Sequence, residues 1–355
     1  MNSLNVTLAN EDNSTTVEEI EKMSPLMMNI FYCLYATIFT LAFVGNIFAL
    51  ITCYKTYKVT TSVLFCFIAS LAGADLMFTL LSIFDLIAFI GQGDWFGGDP
   101  VCKIQSFLIE SCYTVSILTL VAISYERLKA VSSPVLARAQ PTDNRSIILK
   151  IIWVVGIASC TPLLYAYYVK RDENSGLSLC LNENMGDDGR QIYYAIQAVL
   201  LFLLPLGTMI WAHVKIFLHL SNHARTRISL RAKSGDGLQQ KKVTKMLAIV
   251  TLVFFICYGP FMVIRTLRYF YVYNGDAVWR LSQMMIFGQA AVNPILYCFC
   301  SKQFRFSYKD LIRCRGFRKT DTRKLRSAST KSSSSVRSQN TCGMNEFSTG
   351  QVNHI

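Results

Sequence analysis

The chain has 355 residues, of which 52% are hydrophobic and only 16% are charged, and its mean hydropathy is +0.34. Soluble domains typically have about 25% charged residues, so this composition excludes an ordinary soluble protein and predicts one that sits in lipid. The formal charge of +13 does not indicate a nucleic-acid partner, because the Lys and Arg residues lie in short segments between apolar runs and in the C-terminal tail.

Residues 1–27 form a polar segment that we predict to be an extracellular tail. It contains five acidic residues and two glycosylation sequons, at Asn5 and Asn13. Sequons in polar tails also arise by chance, which is the alternative interpretation. No cleavable signal peptide is visible, so we expect the first helix itself to direct membrane insertion.

Seven apolar runs follow, each about as long as the roughly 20 residues that cross the hydrocarbon core as an α-helix, or longer. They cover residues 28–54, 61–90, 102–133, 146–168, 193–219, 241–273 and 277–299. The first, third and fifth connections carry Lys and Arg and are predicted to be cytoplasmic. We therefore expect an all-α membrane protein, a seven-transmembrane helix bundle over residues 28–300. It would be multi-pass in the plasma membrane, with its N-terminus outside and its C-terminus in the cytoplasm.

Most of the 12 cysteines lie inside the apolar runs, where Cys behaves as a small buried hydrophobe. Cys102 and Cys180 are placed differently, at the outer start of the third run and in the second outer connection. Both are on the oxidising side, so we expect a disulfide between them that holds the connection over the mouth of the bundle. The alternative is two free thiols.

A charge at bilayer depth costs several kcal/mol unless it faces the interior of the bundle, and Asp75 is such a charge. Asn46, Ser116 and Asn293 are polar residues of other runs that offer further oxygen atoms. Together they predict a site for a small hard cation, an allosteric sodium ion held by Asp75, Ser116 and Asn293. The alternative is a hydrated hydrogen-bond network around a protonated Asp75. No other cofactor is indicated.

Each of the seven runs contains a short motif. The motifs are Gly45-Asn46, Asp75, Glu126-Arg127-Leu128, Trp153, Pro205, Phe254-x-x-Cys257-Tyr258-x-Pro260 and Asn293-Pro294-Ile295-Leu296-Tyr297. Each is weak alone, but together, over about residues 28–314, they resemble the motifs of the rhodopsin-like family of G-protein-coupled receptors in their order.

The resemblance implies a signalling switch. Glu126 and Arg127 would form the G-protein switch, together with Asn293, Pro294 and Tyr297 of the seventh run. Pro205, Ile117 and Phe254 match the packed trio that transmits the signal from the ligand pocket. Proline removes a helical hydrogen bond, so Pro205, Pro260 and Pro294 are expected to make kinks that serve as pivots.

Two positions and one segment decide which ligands the resemblance allows. Ile109 stands where amine receptors of the family place an Asp, and Phe287 stands where opsins carry the retinal-binding Lys. The segment from Glu110 to Arg127 resembles the ghrelin, motilin, neuromedin U and thyrotropin-releasing-hormone receptors, which bind peptides. The resemblance therefore implies an extracellular peptide as the ligand, and we expect a neuropeptide. Seven acidic residues of the outer connections would steer a basic peptide inward, or are ordinary solvated loop residues.

The expected ligand site lies between the third and sixth runs. Glu110 is eight residues inward of Cys102, about 12 Å along a helix, and Arg265 is five residues outward of Pro260, about 7.5 Å. Two opposite charges at this depth are tolerable only together, so we predict a salt bridge between them. Arg268 would bind a peptide carboxylate or carbonyl, and Tyr258 replaces the family's usual Trp beneath the pocket. The alternative is a pair that only ties two helices together.

Residues 301–315 alternate basic and apolar groups and predict an amphipathic eighth helix on the membrane lipid, with Cys314 as a palmitoylation site. A free cytosolic thiol is the alternative. Residues 316–355 are rich in Ser and predict a disordered cytoplasmic tail, phosphorylated by receptor kinases and bound by arrestin.

The sequence is also compatible with three other functions. Gln240, followed by two lysines, stands near the foot of the sixth run where the family often carries an acid against Arg127, so this ionic lock cannot form, which favours a constitutively active receptor as one alternative. A lipid or small-molecule receptor of the same fold is another. A transporter or channel is disfavoured because no internal repeat is visible, and an enzyme is excluded because no catalytic constellation is found.

Overall fold

The computed structural model describes residues 25–60, 63–91, 93–133, 142–173, 176–229, 236–272, 276–300 and 304–305. The predicted glycosylation sites at Asn5 and Asn13 and the predicted palmitoylation site at Cys314 lie outside these residues. So do the cytoplasmic tail, all of the predicted eighth helix except Phe304 and Arg305, and the side chain of Gln240.

The described residues form helices and one short hairpin. The elements are α1 (Pro25–Thr60), α2 (Val63–Ile90), α3 (Gly98–Ser132), α4 (Thr142–Cys160), α5 (Leu163–Ala166), β1 (Tyr168–Arg171), β2 (Ser178–Leu181), α6 (Gly186–Ala198), a π-helical turn (Val199–Leu203), α7 (Leu204–Ser229), α8 (Asp236–Tyr269) and α9 (Asp276–Cys300). Because α6, the π turn and α7 are continuous, the described residues make seven long helical rods, in agreement with the seven predicted runs.

Six of the described rods are long and apolar enough to cross a membrane, and the seventh, α9, is more polar because it carries Arg280, Gln289 and Asn293. The distribution of side chains also fits lipid. Large apolar side chains such as Val154 and Phe217 are 66% exposed, whereas many polar ones are buried. Since lipid tails are as apolar as a Leu side chain, exposing hydrophobic side chains to them carries no free-energy penalty.

Two close approaches between helices depend on glycine. A Cβ atom on Gly45 of α1 would lie 2.8 Å from Cβ of Pro294 on α9, and one on Gly156 of α4 would lie 2.7 Å from a methyl group of Val115 on α3. Small residues let transmembrane helices pack backbone to backbone. The helix α3 lies at the centre and contacts α2, α4 and α7, while α8 contacts α7 and α9.

The fourth predicted run, residues 146–168, is wrong at its end. α4 stops at Cys160, the short α5 follows Pro162, and Tyr168 already belongs to β1. β1 pairs with β2 in an antiparallel hairpin, with Val169 opposite Cys180. The apolar character of the segment continues through this change, which is why hydropathy alone extended the helix to Tyr168.

The fifth rod contains a π-helical turn directly before Pro205. The N–H of Leu204 donates to the carbonyl of Val199, five residues back. Pro205 has no N–H to donate, and inserted π turns are a common way for a helix to accommodate such a gap. Pro260 and Pro294, in contrast, lie inside α8 and α9 without a break in the helix assignment.

Candidate functional site

Two oppositely charged side chains meet inside the bundle, one from α3 and one from α8. Nη1 of Arg265 lies 2.6 Å from Oε1 of Glu110. The exposed fractions of the two residues are 3% and 7%. The predicted salt bridge is therefore present. Each charge would be very unfavourable at this depth without the other, because removing one partner of a buried pair typically costs about 3–5 kcal/mol.

Arg265 also ties a third element to this pair. Its Nη2 donates to Oε1 of Gln197 on α6 at 3.1 Å. Its guanidinium carbon lies 4.7 Å from the ring centroid of Tyr194 and 4.9 Å from that of Phe261. Cations attract the faces of aromatic rings, so the guanidinium is held between two rings as well as by the carboxylate. The arrangement fixes Arg265 at the junction of α3, α6 and α8.

Arg268 lies one turn further along α8 and turns toward α9. Its guanidinium carbon is 5.4 Å from the ring of Trp279, and that ring stacks on Phe261 at a centroid distance of 5.4 Å. Arg268 is only half-buried. It is therefore closer to the rim of the site than Arg265 is, as the sequence predicts.

Tyr258 lies below the ion pair in a group of aromatic rings. Its ring stacks on Phe254 at 5.3 Å and meets Tyr113 edge-on at 6.1 Å. The residue is 1% exposed, and its hydroxyl has no hydrogen-bond partner among the described protein atoms. Tyr258 thus forms the floor of the site, at the edge of a small cavity that Asp75 and Gln289 also line.

A second acid near the site was missed by the sequence reasoning. Nε2 of Gln105 on α3 donates to Oδ2 of Asp85 on α2 at 3.0 Å. Among the described residues no Lys or Arg forms an ion pair with Asp85. The sequence could have indicated this residue, because Asp85 is a charged residue within an apolar run, and the same criterion singled out Asp75.

The hairpin is fastened to the end of the bundle nearest to this site, called the hairpin end below. The predicted disulfide joins Cys180 of β2 to Cys102 of α3. The carboxylate of Asp99 accepts from the backbone N–H of Val169 at 3.0 Å, and that of Asp94 accepts from Ser178 at 2.9 Å.

Some of the acidic residues expected to steer a ligand thus form structural hydrogen bonds and ion pairs. Asp94 and Asp99 anchor the hairpin, Asp99 also pairs with Lys103 at 2.6 Å, and Asp187 pairs with Arg190 at 2.6 Å. These contacts favour the alternative interpretation, in which such residues have no special role in attracting a ligand. An acid whose charge is already compensated contributes less to the field around the site.

Asp75 lies in a polar cluster in the middle of the bundle. Its two carboxylate oxygens accept hydrogen bonds from Oγ of Ser116 at 2.9 Å and from Nδ2 of Asn293 at 2.8 Å. Asn46 donates instead to the backbone carbonyls of Ala42 and Ala290. Carboxylate and hydroxyl oxygens beside a cavity fit a small hard cation, although Asn293 presents its amide nitrogen to the carboxylate. The sodium ion stays a prediction.

The sequence of the chain matches one family along most of its length. The profile of the 7 transmembrane receptor (rhodopsin family) matches residues 45–297, well over half of the chain. The chain belongs to the rhodopsin family of seven-transmembrane receptors. It is therefore a multi-pass membrane protein of the G-protein-coupled class, a receptor rather than an enzyme.

Individual relatives of this receptor have different ligands in their names. It is 25% identical to a QRFP-like peptide receptor of Branchiostoma floridae, over 83% of this chain and 80% of the relative. It is 27% identical to human growth hormone secretagogue receptor type 1, over 90% of this chain and 92% of the relative. It is also 25% identical to 5-hydroxytryptamine receptor 2 of Aplysia californica, over 80% of this chain and 75% of the relative.

The residues of the predicted switch lie toward the other end of the receptor. Glu126 and Arg127 are half-buried near the C-terminal end of α3. Tyr297 of α9 is buried, and its ring lies 5.5 Å from that of Phe304, which stacks in turn on Phe65 of α2 at 5.6 Å. Phe304 thus packs against α2 and α9.

The predicted transmission residues lie between the two ends. Ile117 and Phe254 are each 1% exposed and belong to the main hydrophobic core, and Pro205 and Pro294 are buried. Pro260 is half-buried, two residues beyond Tyr258 in α8. The receptor therefore has a continuous packed core from the aromatic floor of the site to the level of the switch residues. Their roles in signalling stay predictions.

Proposed function

We propose that this receptor is activated by an extracellular peptide that binds at the Glu110–Arg265 pair. One observation carries the proposal: groups of both charge signs are present at the hairpin end, some of them well below the surface. Glu110 and Arg265 are paired, and Arg268 lies above an indole ring. Among the described residues, the partner of Asp85 is the neutral amide of Gln105. Peptides present cationic groups, carboxylates and backbone carbonyls together, and bidentate Arg contacts suit the last two.

The amine and lipid alternatives receive less support from the same residues. Ile109, at the position where amine receptors are expected to hold their acid, is an apolar residue packed against the hydrophobic core. A purely apolar lipid has no polar group that could interact with the side chains of Asp85 and Arg268, so it would not use the polar character of the site. The name of the QRFP-like peptide receptor agrees with the peptide assignment.

The direction of signalling follows from the topology that we propose. The hairpin end faces outward at the plasma membrane and the N-terminal tail is extracellular. Arg127 and Glu126 then face the cytoplasm, where release of Arg127 would open a site for a helix of the heterotrimeric G protein. Receptor kinases and arrestin act on the C-terminal tail. Palmitoylated Cys314 and the segment 301–315 contact membrane lipid. In the same proposal, a sodium ion at Asp75 favours the inactive state.

The test is a screen of the expressed receptor against a synthetic neuropeptide library, with calcium and cyclic-nucleotide readouts. We expect at least one peptide to activate the receptor, and Arg127→Ala to abolish that response while the peptide still binds. Normal signalling by Arg127→Ala would refute the switch assignment. Activity that is high without any added ligand, and unchanged by every peptide, would favour a constitutively active receptor instead.

A further inference from the structure

A stack of cations and aromatic rings runs from Arg265 to the hairpin end of the receptor. The ring of Tyr194 covers the guanidinium of Arg265 at 4.7 Å, and the ring of Tyr269 stacks on Tyr194 at 4.3 Å. The guanidinium of Arg190 follows at 5.2 Å from the centroid of Tyr269, and the ring of Tyr271 lies 6.0 Å beyond it. The stack alternates between α6 and the end of α8, so it closes the gap between these two elements.

Hydrogen bonds hold the stack together at both ends. Oδ1 of Asp187 accepts from the hydroxyl of Tyr271 and from Nη2 of Arg190, each at 2.6 Å. Nδ2 of Asn182, which follows β2, donates to the hydroxyl of Tyr269 at 2.7 Å and to that of Tyr194 at 3.1 Å. We call these residues the clasp: Asn182, Asp187, Arg190, Tyr194, Tyr269 and Tyr271.

The clasp covers the ion pair of the candidate ligand site. Arg190 is 8% exposed, Tyr194 is 4% exposed and Arg265 beneath them is 3% exposed. A ligand atom cannot contact the guanidinium of Arg265 while Tyr194 lies on its face and Gln197 and Glu110 occupy its edge. Access for a molecule of peptide size therefore requires the clasp to separate.

The backbone at the end of α8 favours such a separation. The N–H groups of Tyr271 and Val272 donate to the carbonyls of Arg268 and Leu267, the pattern that ends many helices. The left-handed position of this pattern, usually a glycine, is Tyr271 with φ of 56°. A side chain there costs about 1 kcal/mol, which the contacts of Tyr271 with Asp187 and Arg190 offset. The hydrogen bond to Asp187 also raises the pKa of Tyr271.

We infer that the clasp is a gate that must open before a peptide reaches Glu110 and Arg265. When it opens, Tyr269 and Tyr271 move away from α6 with the end of α8, and Asn182 releases both hydroxyl groups. This inference rests on the proposed ligand role of the ion pair. The opening of the gate is nevertheless measurable with a small chemical probe and no peptide.

The experiment measures how fast a thiol placed beneath the clasp reacts from outside. Met262, 2% exposed with its sulfur 3.2 Å from Nη2 of Arg265, is replaced by Cys. Intact cells are treated with the membrane-impermeant cation methanethiosulfonate ethyltrimethylammonium. The same treatment of the receptor that lacks the new Cys measures the reaction of the native thiols, which is subtracted. Gln197→Cys is the second reporter if the first does not reach the cell surface.

Two clasp variants and one control are compared in that background. Tyr271→Phe removes the bonds to Asp187 and Arg190 but keeps the ring, and Asn182→Ala removes the bonds to Tyr194 and Tyr269. Tyr168→Phe is the control, because its hydroxyl bonds to Glu183 at 3.4 Å outside the clasp. We expect reaction at least about 10-fold faster in both clasp variants and unchanged in the control, because Tyr271→Phe loses a charge-assisted bond and Asn182→Ala loses two neutral bonds.

The gate would be overturned if the Cys reporter reacted equally fast, whether quickly or slowly, in the receptor with the intact clasp and in the two clasp variants. An equal rise in the Tyr168→Phe control would also overturn it. Failure of every peptide to activate the receptor would count against the proposed function and would leave the labelling result unchanged.

Discussion

At the scale of single residues, the receptor is distinguished by charges that lie inside the bundle. Glu110 and Arg265 neutralise each other, and Asp75 is satisfied by Ser116 and Asn293. Asp85 differs, because its described partner is the neutral amide of Gln105. An acid at this depth without a cation is unfavourable in the free receptor and is a good acceptor for a cationic group of a ligand.

The first prediction concerns Asp85. Asp85→Asn should lower the potency of an activating peptide that carries a basic group by about 10-fold, or roughly 1.4 kcal/mol, because one charge-assisted contact is lost. The measurement is a concentration–response curve in cells. Asp188→Asn is the control, since Asp188 is exposed on α6. Equal potency of the unmodified receptor and Asp85→Asn would show that the peptide makes no contact with this acid.

Sequence reasoning found some of these residues and could not have found others. Glu110 and Arg265 were predictable because a charge in an apolar run needs a partner, and Asp85 could have been found in the same way. The clasp could not, because Asn182 and Tyr269 are 87 positions apart in sequence and come together only through the folding of the hairpin. Tyrosines near helix ends are common, and no local pattern indicates which of them stack.

At the scale of the elements, close helix contacts decide how tightly the bundle is built. α1 approaches α9 at Gly45, where a Cβ atom would clash with Pro294, whereas a Cβ atom on Gly73 of α2 would meet nothing within 4 Å. Both glycines lie inside helices. The two positions therefore allow the cost of packing to be separated from the ordinary effect of glycine in a helix.

The second prediction compares alanine at these positions. Gly45→Ala should lower the thermal stability of the purified receptor, because overpacking a tight contact typically costs about 1–3 kcal/mol. Gly73→Ala should leave the stability unchanged or raise it, since Ala is favoured over Gly in helices by about 0.5–1 kcal/mol. Thermal unfolding in detergent or nanodiscs measures both. Equal melting temperatures for the two variants would contradict the close contact at Gly45.

The elements also show where hydropathy stops being informative. Seven apolar runs predicted seven rods, because about 20 apolar residues in lipid have few other structures available. The π turn before Pro205, the early end of α4 and the start of the fifth rod at Gly186 were not predicted. The first turns of α6 carry Asp187, Asp188 and Arg190. They look like a loop in sequence and are helical because they pack against the end of α8.

At the scale of the whole molecule, we propose two states that a ligand and an ion favour unequally. In this proposal the peptide prefers the state in which the clasp has opened, and a sodium ion would prefer the state in which Asp75 keeps its present neighbours. A ligand that binds one state better shifts the population toward it, and two ligands that favour different states weaken each other.

The third prediction follows from this linkage. Replacing sodium by a bulky organic cation should raise the affinity of an activating peptide for the unmodified receptor. Asp75→Asn should remove the difference, because the carboxylate that would hold the ion is gone. Radioligand binding to membranes in the two buffers measures both effects. Peptide affinity that does not depend on sodium in the unmodified receptor would refute the ion site and would leave the peptide site untouched.

Activation of this receptor by a peptide through Glu110 and Arg265 is tested most directly by a charge-reversal cycle. Glu110→Arg and Arg265→Glu are made singly and together, and the potency of an activating peptide is measured at matched surface expression. Each single variant should lose potency by about 10-fold or more, roughly 1.4 kcal/mol, and the double variant should recover part of the loss because the two side chains are in direct contact. Single variants with the potency of the unmodified receptor would show that the peptide binds elsewhere.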